Sequence, residues 1–113
     1  SDDGFMVIVG RNALQNERVT WKMAQPEDAW LHARRVPGSH VVIKTGGREL
    51  PQRSLEQAAA WAAYHSKAQK DTKVSVIYTQ RRHLRRFKGA RPGQVRVLQS
   101  QTITVVPEKT PDN

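Results

Sequence analysis

The chain has 113 residues, with 19 Lys and Arg against 10 Asp and Glu, a formal net charge of +9 and no cysteine. That length makes one domain the default and permits a real core. The composition excludes a disulfide framework, a thiolate metal site and a Cys nucleophile. No apolar run is long enough to span a bilayer, and Ser1-Asp2-Asp3 does not open a signal peptide; with the missing cysteines, this makes a cytoplasmic location the expectation.

In chain order, Phe5 to Val9 is short, apolar and stopped by Gly10, which reads as a strand. Arg11 to Arg18 is polar, with Asn12 and Asn16, and reads as a turn. Val19 to Met23 alternates as a second strand does, so the two predict an N-terminal hairpin with a long loop. Pro26-Glu27-Asp28 reads as one helical turn or a bend. Ala29 to Arg34 and His40 to Lys44 read as strands on either side of Val36-Pro37-Gly38-Ser39, with Gly46-Gly47 ending the second.

One main helix is predicted over about 54–69. Ser54 and Gln57 have capping-box spacing. Leu55, Ala58, Ala59 and Ala62 form a stripe that Trp61 and Tyr64 widen, while Lys67 and Lys70 complement the dipole near the end. Val74 to Thr79, Gln94 to Leu98 and Thr102 to Val106 read as further strands, and Thr110 to Asn113 as a frayed tail. Strands, one helix, then strands again predict an α+β fold: a mostly antiparallel sheet with the helix packed on it. Residues 1–113 are expected to form one domain, with its core at about 4–107 and a tail at 108–113.

Charge is unevenly spread. Between Asp71 and Glu108 there is no acid, while Lys73, Arg81, Arg82, Arg85, Arg86, Lys88, Arg91 and Arg96 all fall there. The run from Arg81 to Gly93 is too basic for a core segment and reads as a surface for a polyanion, nucleic acid first, since each neutralised phosphate releases a counterion. Arg gives bidentate phosphate contacts and stacks on bases. Phe87 serves either to stack on a base or to anchor the loop. A bland alternative for the whole run is a solvated loop kept for solubility.

If 29–34 is a strand, Trp30, His32 and Arg34 share one face. That face suits base stacking and phosphate binding, or else holds a Trp half-buried at a strand edge. Gly38 and Ser39 in a tight turn can offer backbone N–H groups and a hydroxyl to a phosphate. Arg11 with Asn12, Gln15 and Asn16 can contact phosphate and base edges, or simply shape a turn.

Catalysis has little support. Ser39 and His40 are neighbours and point to opposite faces of a strand, so they make no nucleophile–base pair. His32, His40, His65 and His83 match no metal spacing, and no phosphate-cradling loop motif is present. No enzymatic activity, no metal and no cofactor are expected.

The series Gly4-Phe5, Val9-Gly10-Arg11-Asn12, Gln15-Asn16, Asp28 to Arg34 and Pro37 to Ile43 resembles the NFACT-R domain. So do Ala58-Ala59, Ala62-Ala63-Tyr64, Ser66-Lys67, Tyr78-Thr79, Lys88 to Gly93, Gln101-Thr102 and Val106-Pro107. The likeness covers roughly residues 4–107. It implies an RNA-binding domain of the Rqc-type, fibronectin-binding-protein-like group. The large members of that group bind the large ribosomal subunit and tRNA and extend stalled nascent chains; smaller members are linked to RNA or tRNA metabolism. By position, the resemblance marks Arg11, Asn12, Asp28, Trp30, His32, Arg34, Gly38, Ser39 and His40 as RNA-facing. The basic loop, with Arg81, Arg82, Arg85, Arg86, Lys88 and Arg91, joins them. The implied partners are tRNA or ribosomal RNA and the large ribosomal subunit, with no membrane and no small-molecule substrate. The implied setting is ribosome-associated quality control and translation. The alternative is a protein-interaction module that docks on the ribosome or on an RNA-modifying enzyme.

Two departures stand out. The family's NFACT-N, helix-hairpin-helix and coiled-coil regions are absent from this chain, so tail synthesis is not expected of this piece alone. Arg85-Arg86-Phe87 replaces the usual lysines followed by proline, which keeps the charge and removes the backbone restraint.

Overall fold

Strand β1 (Met6–Val9) pairs with β3 (Val41–Lys44), not with the segment that follows it in sequence. The expected N-terminal hairpin is therefore absent. Residues 11–23 instead form helix α1 (Ala13–Arg18), which runs on into a wider π-helical turn (Val19–Met23). Asn12 starts α1 by accepting from Gln15 N–H at 2.9 Å, and Gln15 Oε1 accepts from Arg11 N–H at 2.9 Å. The chain is thus turned by mutual side-chain capping. The alternation of Val19 to Met23 misleads because Val19 and Thr20, adjacent in sequence, are both buried. A five-residue bond from Ala24 N–H to Val19 O, 3.0 Å long, closes the turn.

These are features of a computed structural model that describes residues 4–111. Strand β2 (Ala29–Ala33) pairs antiparallel with β3 on one side and with β4 (Val74–Gln80) on the other. After β4, a 3-10 turn (Arg81–His83) leads into β5 (Leu84–Arg85), which pairs with β6 (Arg96–Val97) in a small ribbon. Strand β7 (Gln101–Val105) closes the main sheet against β4. The five strands run antiparallel in the order β1-β3-β2-β4-β7. The α+β fold read from the sequence is present, with one long helix on the sheet.

That helix, α2, covers Gln52–Tyr64, and differs from the expected span at both ends. Pro51 precedes it and accepts from Ser54 and Leu55 N–H at 3.0 and 3.1 Å, so Ser54 lies inside the first turn and is buried. A proline tolerates this position because the first helical N–H groups have no intrahelical acceptor. At the other end the chain leaves the helix early. Ser66 Oγ donates to Ala63 O at 2.7 Å, and Lys67 N–H reaches across to Pro37 O at 2.9 Å. Lys67 and Lys70 therefore lie beyond the helix.

Strand alternation sorts the two faces. Leu31 and Ala33 of β2, with Val41, Ile43 and Val76, pack under Leu55, Ala58, Ala59, Ala62 and Ala63 of α2. The alanines let helix and sheet approach closely. Trp30 and Val42 point to the other face, where Val19, Ala24 and Leu84 cover them. Leu84, in the middle of the basic run, is 2% exposed; the run is pinned to the core there and is not a free loop throughout. Of the expected tail, Glu108 N–H bonds to Ala60 O and Thr110 Oγ1 lies 2.9 Å from His65 Nε2, so this part is docked. Asp112 and Asn113 lie outside the described residues.

Candidate nucleic-acid interface

A groove of about 620 Å³ opens between the start of α1, the Pro37–His40 turn, the end of α2 and the Pro92–Gln94 end of the basic segment. It gathers six of the residues singled out in the sequence: Arg11, Asn12, His32, Gly38, Ser39 and His40. It adds Tyr64, His65, Lys67 and Gln94, which the sequence reading did not select. Ser66-Lys67 was part of the family resemblance, and that was the available signal. Among the described residues, no Asp or Glu lines the groove. Among the described residues neither Arg11 nor Lys67 has a carboxylate partner, and both are exposed. A hollow of about 670 Å³ at the Tyr78 and Gln101 end is larger, but Glu27 and Glu49 sit in it, which makes it a poorer place for phosphate.

The groove wall is built by backbone contacts. Gly38 forms a bridge with Ser66, and Ser39 N–H bonds to His65 O at 2.9 Å. A Cβ on Gly38 would stand 2.9 Å from Ser66 Cβ, so only glycine allows this approach. Asn16 is buried behind the wall. Its Oδ1 accepts from His40 N–H at 2.9 Å and its Nδ2 donates to Gly38 O at 3.2 Å. Asn16 thus fixes the turn, and a Cβ on Gly10 would fall 2.3 Å from its Oδ1.

Three rings meet at the back. Trp30 and His32 stack at 5.9 Å with planes 6° apart, and His40 stands edge-on to both at 5.0 and 5.5 Å. Burial pulls His40 down to about 4, with the neighbouring His32 acting in the same direction; the Gly93 carbonyl and the Glu17 carboxylate oppose the shift and are outweighed. Burial also lowers His32, against the carbonyls of Ala33 and Gly38. His65 is lowered by burial and by Arg11. At neutral pH these imidazoles are uncharged rings and not counterions for phosphate.

Asp28 and Trp30 do not reach solvent. Asp28 is 0% exposed and Trp30 is 1% exposed, so neither presents a surface to RNA. Asp28 accepts from Gln25 N–H at 2.8 Å and Gly46 N–H at 3.1 Å, and pairs with Lys44 at 2.7 Å. Burial alone would raise its carboxyl, but these bonds outweigh burial and hold it below the ordinary Asp value. It is a clasp between two turns. Ser39 and His40 are also buried, at 6% and 3% exposure, and meet the groove mainly through its wall. Arg34 falls just past β2, exposed, outside the groove.

The arginine segment lies on the Trp30 side of the sheet, since Leu84 packs in the same cluster as Trp30. Arg82, Arg85, Arg86, Lys88 and Arg91 are exposed. Arg81 and Arg86 place their guanidinium groups over Trp21 at 5.5 and 4.8 Å. Arg86 also pairs with Glu17 at 2.5 Å, and Glu17 accepts from Gly93 N–H at 2.9 Å. That N–H bond, then Arg86, hold the Glu17 carboxyl below its usual value against burial. One acid thus ties both ends of the loop and neutralises one of its arginines. Arg85 is turned back onto the carbonyls of Arg82 and Leu84. Phe87 is 36% exposed and lies beside Leu14 over a small hollow.

Comparison with known proteins agrees with this architecture. Residues 1–99 match the family described as NFACT protein RNA binding domain. The chain is 41% identical over 108 residues to the Rqc2 homolog RqcH of Bacillus subtilis, covering 96% of this chain and 19% of that protein. It is 39% identical to the RqcH of Streptococcus pneumoniae, with the same coverage of 96% and 19%. The chain spans about a fifth of the length of the curated relatives it matches. Among solved structures, the C-terminal part of the fibronectin/fibrinogen-binding protein from Streptococcus suis superposes with a TM-score of 0.90 at 36% identity, over 96% of this chain and 43% of that one. The chain belongs to the NFACT protein RNA-binding domain family.

Proposed function

We propose that this chain binds tRNA or ribosomal RNA on the side of the sheet that carries the groove and the basic segment. The proposed contacts are Arg11, Asn12, His32 and Lys67 in the groove and Arg82, Lys88 and Arg91 beside it. The observation that carries the reading is the groove's charge: two exposed cations, uncharged imidazoles and, among the described residues, no carboxylate in its lining. Phosphates favour such a place, and the flanking arginines extend it. Asp28 and Trp30 enter this reading as residues that hold the groove and not as contacts. Residues 1–113 act as one unit in it, with no catalytic role for any side chain. Because relatives carry the name of ribosome quality control factors, the larger setting proposed is the large ribosomal subunit during translation.

The test is an anisotropy titration against tRNA and a ribosomal RNA fragment at two salt concentrations. Binding that weakens steeply with salt is expected. Replacing Arg82, Lys88 and Arg91 by Ala is expected to flatten the log–log salt slope by about one per lost phosphate contact. Absent binding, or binding indifferent to salt, refutes the reading. Capture of ribosomal proteins that survives nuclease treatment would favour a protein-docking module instead.

A further inference from the structure

The back of the groove ends in an open stack. Trp30 is sealed in the core at 1% exposure, and His32 lies parallel to it, half-buried and lining the groove. Two aromatic layers therefore run from the core to the groove and stop there. His32 Nδ1 lies 2.6 Å from the Ala33 carbonyl, which can only accept, so that nitrogen donates and the ring is held in place. A base is the flat group of an RNA that can extend such a stack. The uncharged imidazoles leave phosphate binding to Arg11 and Lys67. A duplex hides its base faces and shows proteins its phosphates and 2′-hydroxyls, so a stacking end has nothing to grip on it.

We infer that this groove takes a single-stranded RNA segment, with one base unstacked against His32 and the adjoining phosphates on Arg11 and Lys67; this rests on the RNA-binding reading above. The basic segment follows the flanking backbone of the same strand. An unpaired base has already lost its pairing and much of its stacking, so its transfer to His32 meets little opposition.

The experiment uses a fluorescein-labelled RNA of eight nucleotides, single-stranded or annealed to its complement, with the intact chain. A second series carries one abasic nucleotide, moved stepwise along the strand. The single strand is expected to bind about tenfold or more tightly than the duplex. Loss of the base at one or two positions is expected to weaken binding about 5- to 100-fold, the range of one base–aromatic stack, and elsewhere to leave it unchanged. His32→Ala removes that positional sensitivity. Arg11→Ala and Lys67→Ala, at exposed positions, each flatten the salt slope while keeping the abasic pattern. These two variants test the site even where His32→Ala disturbs folding. Equal or tighter duplex binding, or a flat abasic scan, overturns the inference and leaves RNA binding standing. No salt-dependent binding to any RNA overturns both.

Discussion

The Thr20 hydroxyl lies 2.7 Å from His40 Nδ1. The same oxygen accepts from the Trp30 indole N–H at 3.0 Å. The Gly93 carbonyl beside His40 can only accept, so the ring, uncharged at neutral pH, carries its proton on Nε2, and its Nδ1 accepts from the Thr20 hydroxyl. The indole nitrogen of Trp30 only donates, and takes one of the lone pairs of Thr20. One buried relay joins the π-helical turn, β2, the groove wall and the basic segment.

Removing that hydroxyl leaves the buried indole N–H without an acceptor. Thr20→Val is therefore expected to lower unfolding free energy by about 2–4 kcal/mol, whereas Thr20→Ser, which keeps the oxygen, costs about 1 kcal/mol. Urea titration of the three proteins measures the difference, and equal losses for Val and Ser would contradict the relay.

Acid is expected to destabilise the fold before its carboxylates titrate. His40 falls from 6.5 in the unfolded chain to about 4 in the folded one. Between those values the unfolded chain holds more protons, so stability is complete above pH 6.5 and declines as pH falls toward 4. The slope from this group approaches about 1.4 kcal/mol per pH unit, roughly 3 kcal/mol in all. His32 and His65 shift the same way and add to it. Asp28 and Glu17, lowered carboxyls, add a further loss only at lower pH. Thermal melts from pH 7 to pH 4 test this; His40→Gln should flatten the curve.

Gly38 sets the groove wall by contact distance. Its added Cβ would also lie 3.2 Å from the His65 carbonyl. Gly38→Ala is expected to cost about 1–3 kcal/mol and to weaken RNA binding more than Arg34→Ala, an exposed change outside the groove. Equilibrium unfolding and anisotropy on both variants decide it.

Glu17 restrains the basic loop and masks Arg86. Glu17→Gln keeps shape and removes the charge, so Arg86 becomes available to phosphate. RNA affinity at low salt is expected to rise about two- to fivefold, with a steeper salt slope, and the gain should vanish at high salt. Gly93 amide exchange should quicken because its acceptor is weakened. An unchanged salt slope would show that Arg86 takes no part.

Much of the fold was legible. Short β-rich runs marked β1 to β4 and β7 within a residue or two, since β-branched and apolar side chains suit a sheet covered on one or both faces. The alanine stripe marked α2 because close helix–sheet packing demands small side chains. The segment 11–23 misled, since its burial pattern answers to Thr20 beneath Trp30, a partner ten residues away. The ends of α2 were misplaced for a related reason: Pro51 and the Pro37 carbonyl compete with local capping. At the site, residue types pointed to Arg11, Asn12, His32, Gly38 and Ser39, the family resemblance added His40, and these do converge. Trp30 reads either as a contact or as a half-buried ring, because nothing in a strand's spacing tells which face a second layer will cover, and Asp28 is marked only by the family resemblance.

The sequence alone determined the net charge, the acid-free basic third and the periodicities, because these depend only on residue type and spacing. Tertiary structure decided which cations stay free, which histidines are uncharged and where the groove opens. Those properties depend on burial and on partners brought close from distant parts of the chain: Glu17 to Arg86, Asn16 to Gly38, Gly93 to His40. Electrostatics and desolvation act through space, and chain order does not encode those distances directly.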